Sequence, residues 1–427
     1  MISNIYDVRE YRLPASFFAA NRQKLLAHLP DRALVVVFAG KAVIMSEDSE
    51  YRFFANRNFF YLTGVEQEES ILVISKNANQ VRTRLFVQTA DALKERWTGR
   101  RLRIEEARNL SGITDVVYLP SFEDFLQPFL SDNTLPLAIE EKLAHGPGKA
   151  FEKSVISLHT EREVIALGPQ LTRLRMIKEP CEIDVIRKAI ALTDDAIREM
   201  AVLIRPGVTE LTLSAAFDYA LARRGCLIPA FPSIFAAGEN ALCLHHMNPT
   251  GQARGGELIQ IDVGGRVAGH CADISRVFPA SGSFSDEQKT LYAAVRACQE
   301  KAFAVIKPGM FISDVNNEVK YTAKIELEKM GIIQEDDPAH SDVSSYYWHK
   351  VSHHMGLDVH DVSAREMPLE AGMVITVEPG IYIPQLGIGF RIEDDVLVTD
   401  KGCEVLSSFI PRELDEICAM TGARGGE

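Results

Sequence analysis

The feature that most limits the fold of this chain is a repeated order of elements in its C-terminal half. Two long segments carry apolar residues at three- and four-residue spacing, and each ends at a basic residue followed by Pro-Gly. A shorter segment of the same periodicity follows each long one, and strand-like runs come next. The predicted helices are Glu182–Ile204, Leu211–Arg224, Ser285–Ile306 and Ile312–Met330. This internal repeat predicts a duplicated α/β unit around a shared sheet.

The first 165 or so residues have a different pattern, in which β-rich apolar runs alternate with helical segments. The strand candidates are Ala33–Phe38, Ser70–Ser75, Arg84–Gln88, Asp115–Leu119 and Pro136–Glu140. Strands interleaved with helices indicate an α/β domain with a mixed sheet. Because 427 residues exceed one ordinary core, we expect two domains, at residues 1–165 and 166–427.

Charge and composition narrow the class of function. A formal net charge of −13 argues against a nucleic-acid partner, because phosphate binding requires clustered Lys and Arg. No apolar run approaches the ~20 residues of a membrane helix, and no secretory signal is visible at the start. Seven cysteines without short paired spacing argue against a disulfide framework. We therefore expect a cytoplasmic protein with no nucleic-acid or membrane partner.

Five residues of metal-ligand type lie beside or within β-rich runs or in a histidine-rich stretch: Asp262, Asp273, His353, Glu378 and Glu393. Glu378 follows the run Met373–Val377, and Glu393 lies within a second β-like run, Ile388–Val398. Four carboxylates and one imidazole suit two divalent cations, since a carboxylate can bridge a pair of ions. Two such ions about 3.5–4 Å apart acidify a water and polarise a carbonyl, which suits amide hydrolysis. A strand-end glutamate that is buried needs a cation; Arg391 could supply one for Glu393.

The two aspartates are expected to share a hairpin. An antiparallel hairpin with its turn near Arg266–Gly269 would place Asp262 and Asp273 opposite each other. Gly264 and Gly269 would then serve the turn or a close approach of backbone to the site. Taken alone, two aspartates at a hairpin end could equally satisfy backbone donors. The other acidic and histidine residues favour the metal interpretation.

Histidine is concentrated in one short stretch. Four of the eleven histidines lie within twelve residues: His349, His353, His354 and His360. A lone histidine is usually structural, but a cluster of this density indicates a functional site. Because side chains alternate along an extended segment, His354 is expected to point away from metals bound by His353.

With these residues the chain resembles a metallopeptidase of the pita-bread fold, in the branch of Xaa-Pro aminopeptidases (aminopeptidase P) and prolidases. The likeness is dense over Ala241–Val398, and the helix pattern extends it from Arg173 to Leu406. Ser46–Ser75 and Glu95–Arg101 are similar to that branch's N-terminal domain. The resemblance implies an α/β (α+β) fold: a creatinase-like N-terminal domain, then a pita-bread catalytic domain with a curved antiparallel sheet and internal pseudo-duplication.

The resemblance also implies roles for the five residues. Asp262 would bind one metal through both oxygens, whereas Asp273 and Glu393 would bridge both metals. His353 and Glu378 would complete the second metal, and Glu378 would handle the proton of the attacking water. The implied cofactor is two divalent ions: manganese, the family's usual activator, with cobalt, zinc or iron as alternatives.

Four further residues match positions near the metals in the family. His245 and His360 resemble its substrate-contacting and proton-shuttling residues, and His349 resembles a histidine four residues before the ligand. Arg391 resembles the arginine that anchors the last ligand's strand. Lys350 departs from the family's usual glycine after His349; it either narrows substrate choice or points outward.

The resemblance implies an Xaa-Pro aminopeptidase, which removes the residue before a proline at the second position of a peptide. A prolidase restricted to dipeptides is the alternative in the same reaction class, and a non-catalytic pita-bread protein that binds peptides is a third. The match of Tyr51–Ser75 and Trp97 favours the aminopeptidase. Relatives with this N-terminal domain imply a homodimer or homotetramer, in which Trp97 reaches a neighbouring subunit's active site.

Overall fold

A computed structural model of the protein describes residues 6–78, 80–141, 146–158, 162–334, 341–364 and 367–422. The chain forms two compact units, one of Leu13–Arg175 and one of Met176–Glu427 together with Met1–Arg12. The units thus divide after Arg175, and the domain boundary expected at residue 165 stays a prediction. Within the described ranges, no helix is both long enough and apolar enough to cross a membrane.

The unit of Leu13–Arg175 is built on a mixed sheet. Its strands are β1 (Arg32–Phe38), β2 (Ile44–Ser46), β3 (Ser49–Glu50), β4 (Ile71–Asn77), β5 (Gln80–Val87), β6 (Asp115–Tyr118), β7 (Leu137–Ile139) and β8 (Val164–Ala166). Its helices are α1 (Ala15–Ala27), α2 (Arg57–Thr63), α3 (Ala92–Thr98), α4 (Ile104–Ser111), α5 (Phe122–Leu130), α6 (Pro147–Leu158) and α7 (Gly168–Met176).

The six-stranded sheet of this unit has the order β6-β5-β4-β1-β7-β8. Neighbours β1, β4 and β5 pair antiparallel, whereas β6, β7 and β8 join in parallel. The five strands expected from the sequence are all present, so the predicted mixed α/β unit is confirmed. Alternate residues of β1, Leu34, Val36 and Phe38, pack on a buried apolar cluster that includes Phe86.

The C-terminal unit contains five α-helices and ten strands in its described part. The helices are α8 (Pro180–Ala201), α9 (Glu210–Arg223), α10 (Asp286–Val305), α11 (Ile312–Lys329) and α12 (Leu414–Met420). The strands are β9 (Ile234–Ala237), β10 (Leu258–Val263), β11 (Arg266–Val267), β12 (His270–Cys271), β13 (Ile274–Pro279), β14 (Val374–Val377), β15 (Gly380–Ile383), β16 (Ile388–Arg391), β17 (Asp394–Val398) and β18 (Cys403–Val405).

The internal repeat predicted from the sequence is confirmed by two matching turns. After α8, the N–H of Val208 donates to the carbonyl of Arg205 at 3.1 Å, and Gly207 between them has φ 90°. After α10, the N–H of Met310 donates to Lys307 at 3.3 Å, and Gly309 likewise has φ 90°. Proline followed by a glycine of positive φ is the signature of a type II turn, and such a turn follows the long helix in each half of the repeat.

Each half of the repeat contributes an interrupted antiparallel hairpin. In the first, β10 pairs with β13 and β11 with β12, and between the two ladders the strands keep only the bond from the N–H of Ala272 to the carbonyl of Gly265 among the backbone contacts described. In the second, β14 pairs with β17 and β15 with β16, with a corresponding gap. Both hairpins keep a single register across their gap, so residues that face each other there remain in line. The hairpins are joined where the N–H of Glu393 donates to the carbonyl of Ser275 at 3.1 Å.

Candidate metal centre

The first hairpin places Asp262 and Asp273 on one face, at its gap. The expected turn is confirmed: Ala268 (φ 48°) and Gly269 (φ 86°) form a two-residue loop with positive φ at both positions. The expectation that the aspartates lie opposite each other is wrong, because Asp262 pairs with Ser275. Asp273 lies two residues before Ser275, and an offset of two makes the aspartates diagonal neighbours on the same face.

Gly264, which faces Asp273 in the continued register, leaves room for this arrangement. A Cβ at Gly264 would lie 1.9 Å from the carbonyl oxygen of Ala272. The predicted close approach of backbone at this glycine is therefore confirmed, since any larger residue would push the two strands apart.

The second hairpin places Glu378 and Glu393 at its own gap. The sequence showed one β-like run over Ile388–Val398, but the structure breaks it after Arg391, and Glu393 lies in the break. Continuing the register from Val377 opposite Asp394 puts the two glutamates opposite each other. The hydroxyl of Ser275 donates to Glu393 Oε2 at 3.0 Å, which ties the second hairpin to the first.

His353 connects the two hairpins. Its Nε2 lies 3.4 Å from Asp273 Oδ2 and 3.4 Å from Glu378 Oε1. One donor atom from each of Asp273, His353 and Glu393 lies within 4.8 Å of the others, a spacing that suits a single ion. The backbone holds the histidine in place, because the carbonyl of His353 accepts from the N–H of Thr376 at 2.9 Å.

Burial makes this acidic cluster unfavourable without cations. Burial and the neighbouring Asp262, Asp395 and Glu378 raise the pKa of Asp273 well above its ordinary value. Burial and the neighbouring Asp273, Glu378 and Asp262 raise the pKa of Glu393 as well. Asp262 Oδ1 and Asp273 Oδ1 are buried and have no hydrogen-bond partner in the described part of the chain. Hard divalent cations fit these unpartnered oxygens and would offset their charge.

Arg391 forms its ion pair with Asp262 rather than with Glu393. Its guanidinium Nη2 forms an ion pair with Asp262 Oδ2, and its backbone N–H donates to Gln260 Oε1 at 2.9 Å. Both charged side chains are buried. The pair leaves Asp262 Oδ1 as the oxygen without a partner and fixes the direction in which it points.

The other histidines divide into two groups. The ring of His360 lies 4.1 Å from that of His353, centroid to centroid, and its side chain is exposed. Partial desolvation of the ring and the neighbouring His353 lower the pKa of His360, and His245 acts in the same sense. By contrast, His246 lies 3.0 Å from Glu210 Oε2 and supports the fold.

His349 approaches the metal centre from the side of Glu378. Its Nδ1 lies 3.7 Å from Glu378 Oε2, and its Nε2 lies 2.9 Å from the hydroxyl of Tyr382. Burial lowers the pKa of His349. The following residue, Lys350, is exposed, and its carbonyl oxygen lies 2.9 Å from His349 Nδ1.

His354 lies on the other side of its segment, as strand alternation predicts. Its electrostatic neighbours are Lys178 and Asp361, and burial followed by Lys178 lowers its pKa to about 4. Of the two adjacent imidazoles, only that of His353 contacts Asp273 and Glu378.

Sequence reasoning missed four residues that hydrogen-bond to the ligand-type residues or to His349. Ser275 donates to Glu393, and Thr376 donates to Glu378 Oε1 at 3.3 Å. Asp395 Oδ2 accepts the backbone N–H of Asp273 at 3.1 Å, and Tyr382 contacts His349. The first three lie two residues from a ligand-type residue, so period-two alternation could have indicated them.

Carboxylates on two interrupted hairpins, with one imidazole from a third segment between them, are the donor set of a metallopeptidase-type centre, and comparison with known proteins agrees. Residues 184–400 match metallopeptidase family M24, and residues 18–137 match the aminopeptidase P N-terminal domain. The chain belongs to metallopeptidase family M24. The expected fold class, an aminopeptidase P N-terminal domain followed by a pita-bread catalytic domain, is thereby confirmed.

Relatives cover almost the whole chain. The Xaa-Pro aminopeptidase of Escherichia coli K12 is 32% identical over 426 residues, which cover 94% of this chain and 97% of that one. A solved structure from Bacillus anthracis, proposed to be an aminopeptidase P, is 38% identical with TM-score 0.91, covering 96% and 98% of the two chains. Zinc-substituted E. coli aminopeptidase P in complex with product has 30% identity, TM-score 0.88 and coverage of 97% and 100%.

Proposed function

We propose that the protein is a dinuclear-metal Xaa-Pro aminopeptidase that hydrolyses the bond between an N-terminal residue and a following proline. The observation that carries the proposal is that Asp273, Glu378 and Glu393 at the gaps of two joined hairpins meet Asp262 of the first hairpin and His353 of a third segment. Relatives named as Xaa-Pro aminopeptidases along nearly the full length support the same activity.

These five residues are the proposed holders of two divalent ions, with manganese first and cobalt, zinc or iron as alternatives. When bound, the two ions supply an acidified water and a polarised scissile carbonyl. Asp273 and Glu393 would help to hold these ions, because burial among like charges disfavours their ionised forms unless cations are present. The Arg391 ion pair orients Asp262 toward the same space.

Proton transfer is assigned to Glu378. Its carboxylate accepts the proton of the attacking water and delivers it to the leaving proline nitrogen. Thr376 donates to one oxygen, Oε1, and His349 lies near the other, so the carboxylate is held in one orientation. Proton transfer by a positioned group typically contributes about 10²–10⁴-fold to the rate.

Substrate contact is assigned to His245 and His360. Both side chains are exposed, so they can meet a peptide, and His360 lies against the ring of the proposed ligand His353. An imide bond before proline lacks an N–H and is sterically hindered, so general peptidases handle it poorly and a dedicated site is needed. N–H donors on these imidazoles would hold the scissile carbonyl oxygen during attack.

A peptide panel tests the activity and separates it from the prolidase alternative. Purified protein with manganese should cleave Arg-Pro-Pro and longer Xaa-Pro peptides and leave matched Arg-Ala-Pro peptides intact. Cleavage of Gly-Pro alone, with tripeptides left intact, would show a prolidase. A protein that retains no metal after dialysis against manganese and is inactive on every proline peptide would instead be a peptide-binding relative. Repeating the panel with cobalt, zinc and iron identifies the most effective ion.

We further propose that the protein acts in the cytoplasm and that it assembles as a homodimer or homotetramer. Trp97, at the end of α3, is 89% exposed, which suits a residue that reaches a neighbouring subunit. Light scattering of the wild-type protein and of Trp97→Ala tests the assembly. A monomeric wild-type protein with full activity would exclude a role for Trp97 in a neighbouring active site.

A further inference from the structure

A buried ion pair lies beside the segment that carries His353 and His360. Lys178 Nζ and Asp361 Oδ2 are 3.3 Å apart, and each side chain is only 1% exposed. Lys178 lies just before α8, and its backbone N–H donates to the carbonyl of Gly372 at 2.8 Å. Two segments far apart in sequence are therefore joined by charge at this point, one residue from His360.

The same pair organises the loop of residues 353–361. The N–H of Asp361 donates to the carbonyl of His354 at 2.8 Å, which closes the loop at its base. Inside the loop, a Cβ at Gly356 would lie 2.3 Å from Asp361 Oδ2 and 2.9 Å from Lys178 Cε. The backbone thus packs directly on the ion pair, and at this position only glycine fits without displacing it.

This loop presents two of the functional histidines. His353 is at its start and His360 near its end, and their rings lie 4.1 Å apart. The loop is also attached to the hairpin that carries Asp273, because the N–H of Cys271 donates to the carbonyl of Gly356 at 2.8 Å. A change in the ion pair would therefore move His360 relative to the ligands.

A contribution to the stability of the folded protein does not by itself explain why such a buried ion pair is present. Desolvation of two buried charges commonly cancels their attraction, and apolar or neutral replacements of similar volume are often as stable. We propose that Lys178 and Asp361 are positioning residues that set the place of the His360 ring relative to His353, and thereby the turnover rate. This inference rests on the proposed function.

The test uses a double variant, Lys178→Met with Asp361→Asn, which removes both charges and leaves neither one unpaired. We expect it to fold, to keep the metal content of the wild-type protein and to lower kcat about tenfold or more, with little change in KM. In a His360→Ala background, the same double change should lower kcat less than about twofold, because the group that it positions is already absent. Equal losses in both backgrounds would overturn the proposal.

Two controls isolate the effect. The exposed pair of Arg187 and Glu404 has a separation of 2.8 Å, and the changes Arg187→Met and Glu404→Gln should leave kcat unchanged. If this double variant does not fold, Lys178→Gln with Asp361→Asn, which keeps polar side chains and again leaves no buried charge unpaired, provides the same comparison in both backgrounds.

A structural measurement decides the inference independently of activity. In a crystal structure of the double variant, the ring centroids of His353 and His360 should be displaced from their separation of 4.1 Å. An unchanged separation would refute the positioning role even if the wild-type protein cleaves no proline peptide, a result that would separately refute the proposed function.

Discussion

Glu378 and Glu393 lie directly opposite each other in one hairpin, at the two residues where its strands stop pairing. The corresponding gap in the first hairpin holds Asp273 opposite Gly264. Regular strand pairing is interrupted at both points, the acidic side chains of the two hairpins converge there, and Ser275 links the two gaps. The duplicated architecture thus contains the same interruption of strand pairing in each half, and the two interruptions lie side by side.

Asp273→Asn should abolish peptidase activity and reduce the metal content while the protein stays folded. The neutral amide also relieves the repulsion among buried carboxylates, so the metal-free variant should melt about 2–4 °C above the metal-free wild-type protein. Calorimetry with and without manganese, together with metal analysis, measures both effects. Asp31→Asn, at a side chain that is 91% exposed, is the control and should match the wild type. Full activity of Asp273→Asn would show that the site is wrong.

The metal-free protein should lose stability as the pH rises above the ordinary carboxyl pKa. The folded-state pKa values of Asp273 and Glu393 lie above their ordinary values of 3.8 and 4.5. Between the ordinary and the folded-state pKa of each group, the folded protein therefore binds more protons than the unfolded chain. The free energy of unfolding therefore falls with pH in that window. Urea denaturation of chelator-treated protein from about pH 5 to 8 measures the slope. Saturating manganese should remove this slope, and a chelated protein that gains stability with pH would contradict the prediction.

His360→Ala should lower kcat about a hundredfold or more, while both metals stay bound. The physical reason is that His360 contacts the ring of a proposed ligand but is itself exposed, so its imidazole is available to substrate. Steady-state kinetics and metal analysis of the same preparation check the two quantities together. His246→Ala, at the histidine paired with Glu210, provides a histidine-to-alanine control outside the centre. A loss of activity that is wholly explained by lost metal would make His360 a ligand.

Gly264→Ala should destabilise the protein by about 2–3 kcal/mol and reduce metal binding, because the new Cβ would meet the carbonyl oxygen of Ala272 at 1.9 Å. Urea denaturation measures the free energy of unfolding in each variant. Gly255→Ala is the matched control, since its Cβ would have no neighbour closer than 3.8 Å. Equal stability of the two variants would show that the hairpin gap tolerates a side chain.

Much of the catalytic unit was predictable because its signals are local. The four long helices match their predicted ranges to within three residues, since apolar spacing and Pro-Gly turns act over short distances. The turn at Ala268 and Gly269 followed from the same kind of signal. The offset between Asp262 and Asp273 did not, because the turn is centred one residue later than the range Arg266–Gly269 implies, and such a shift moves the cross-strand register by two.

By itself, the sequence determined which residues could bind metal and which family pattern they follow. Only the tertiary structure decided their partners: Arg391 with Asp262, Ser275 with Glu393 and Lys178 with Asp361. Each of these contacts joins residues more than a hundred positions apart, across two hairpins or from a helix start to a distant loop. A buried charge requires a counter-charge or a hydrogen-bond donor in the packed core. Short-range periodicity in the sequence does not indicate which distant residue provides it.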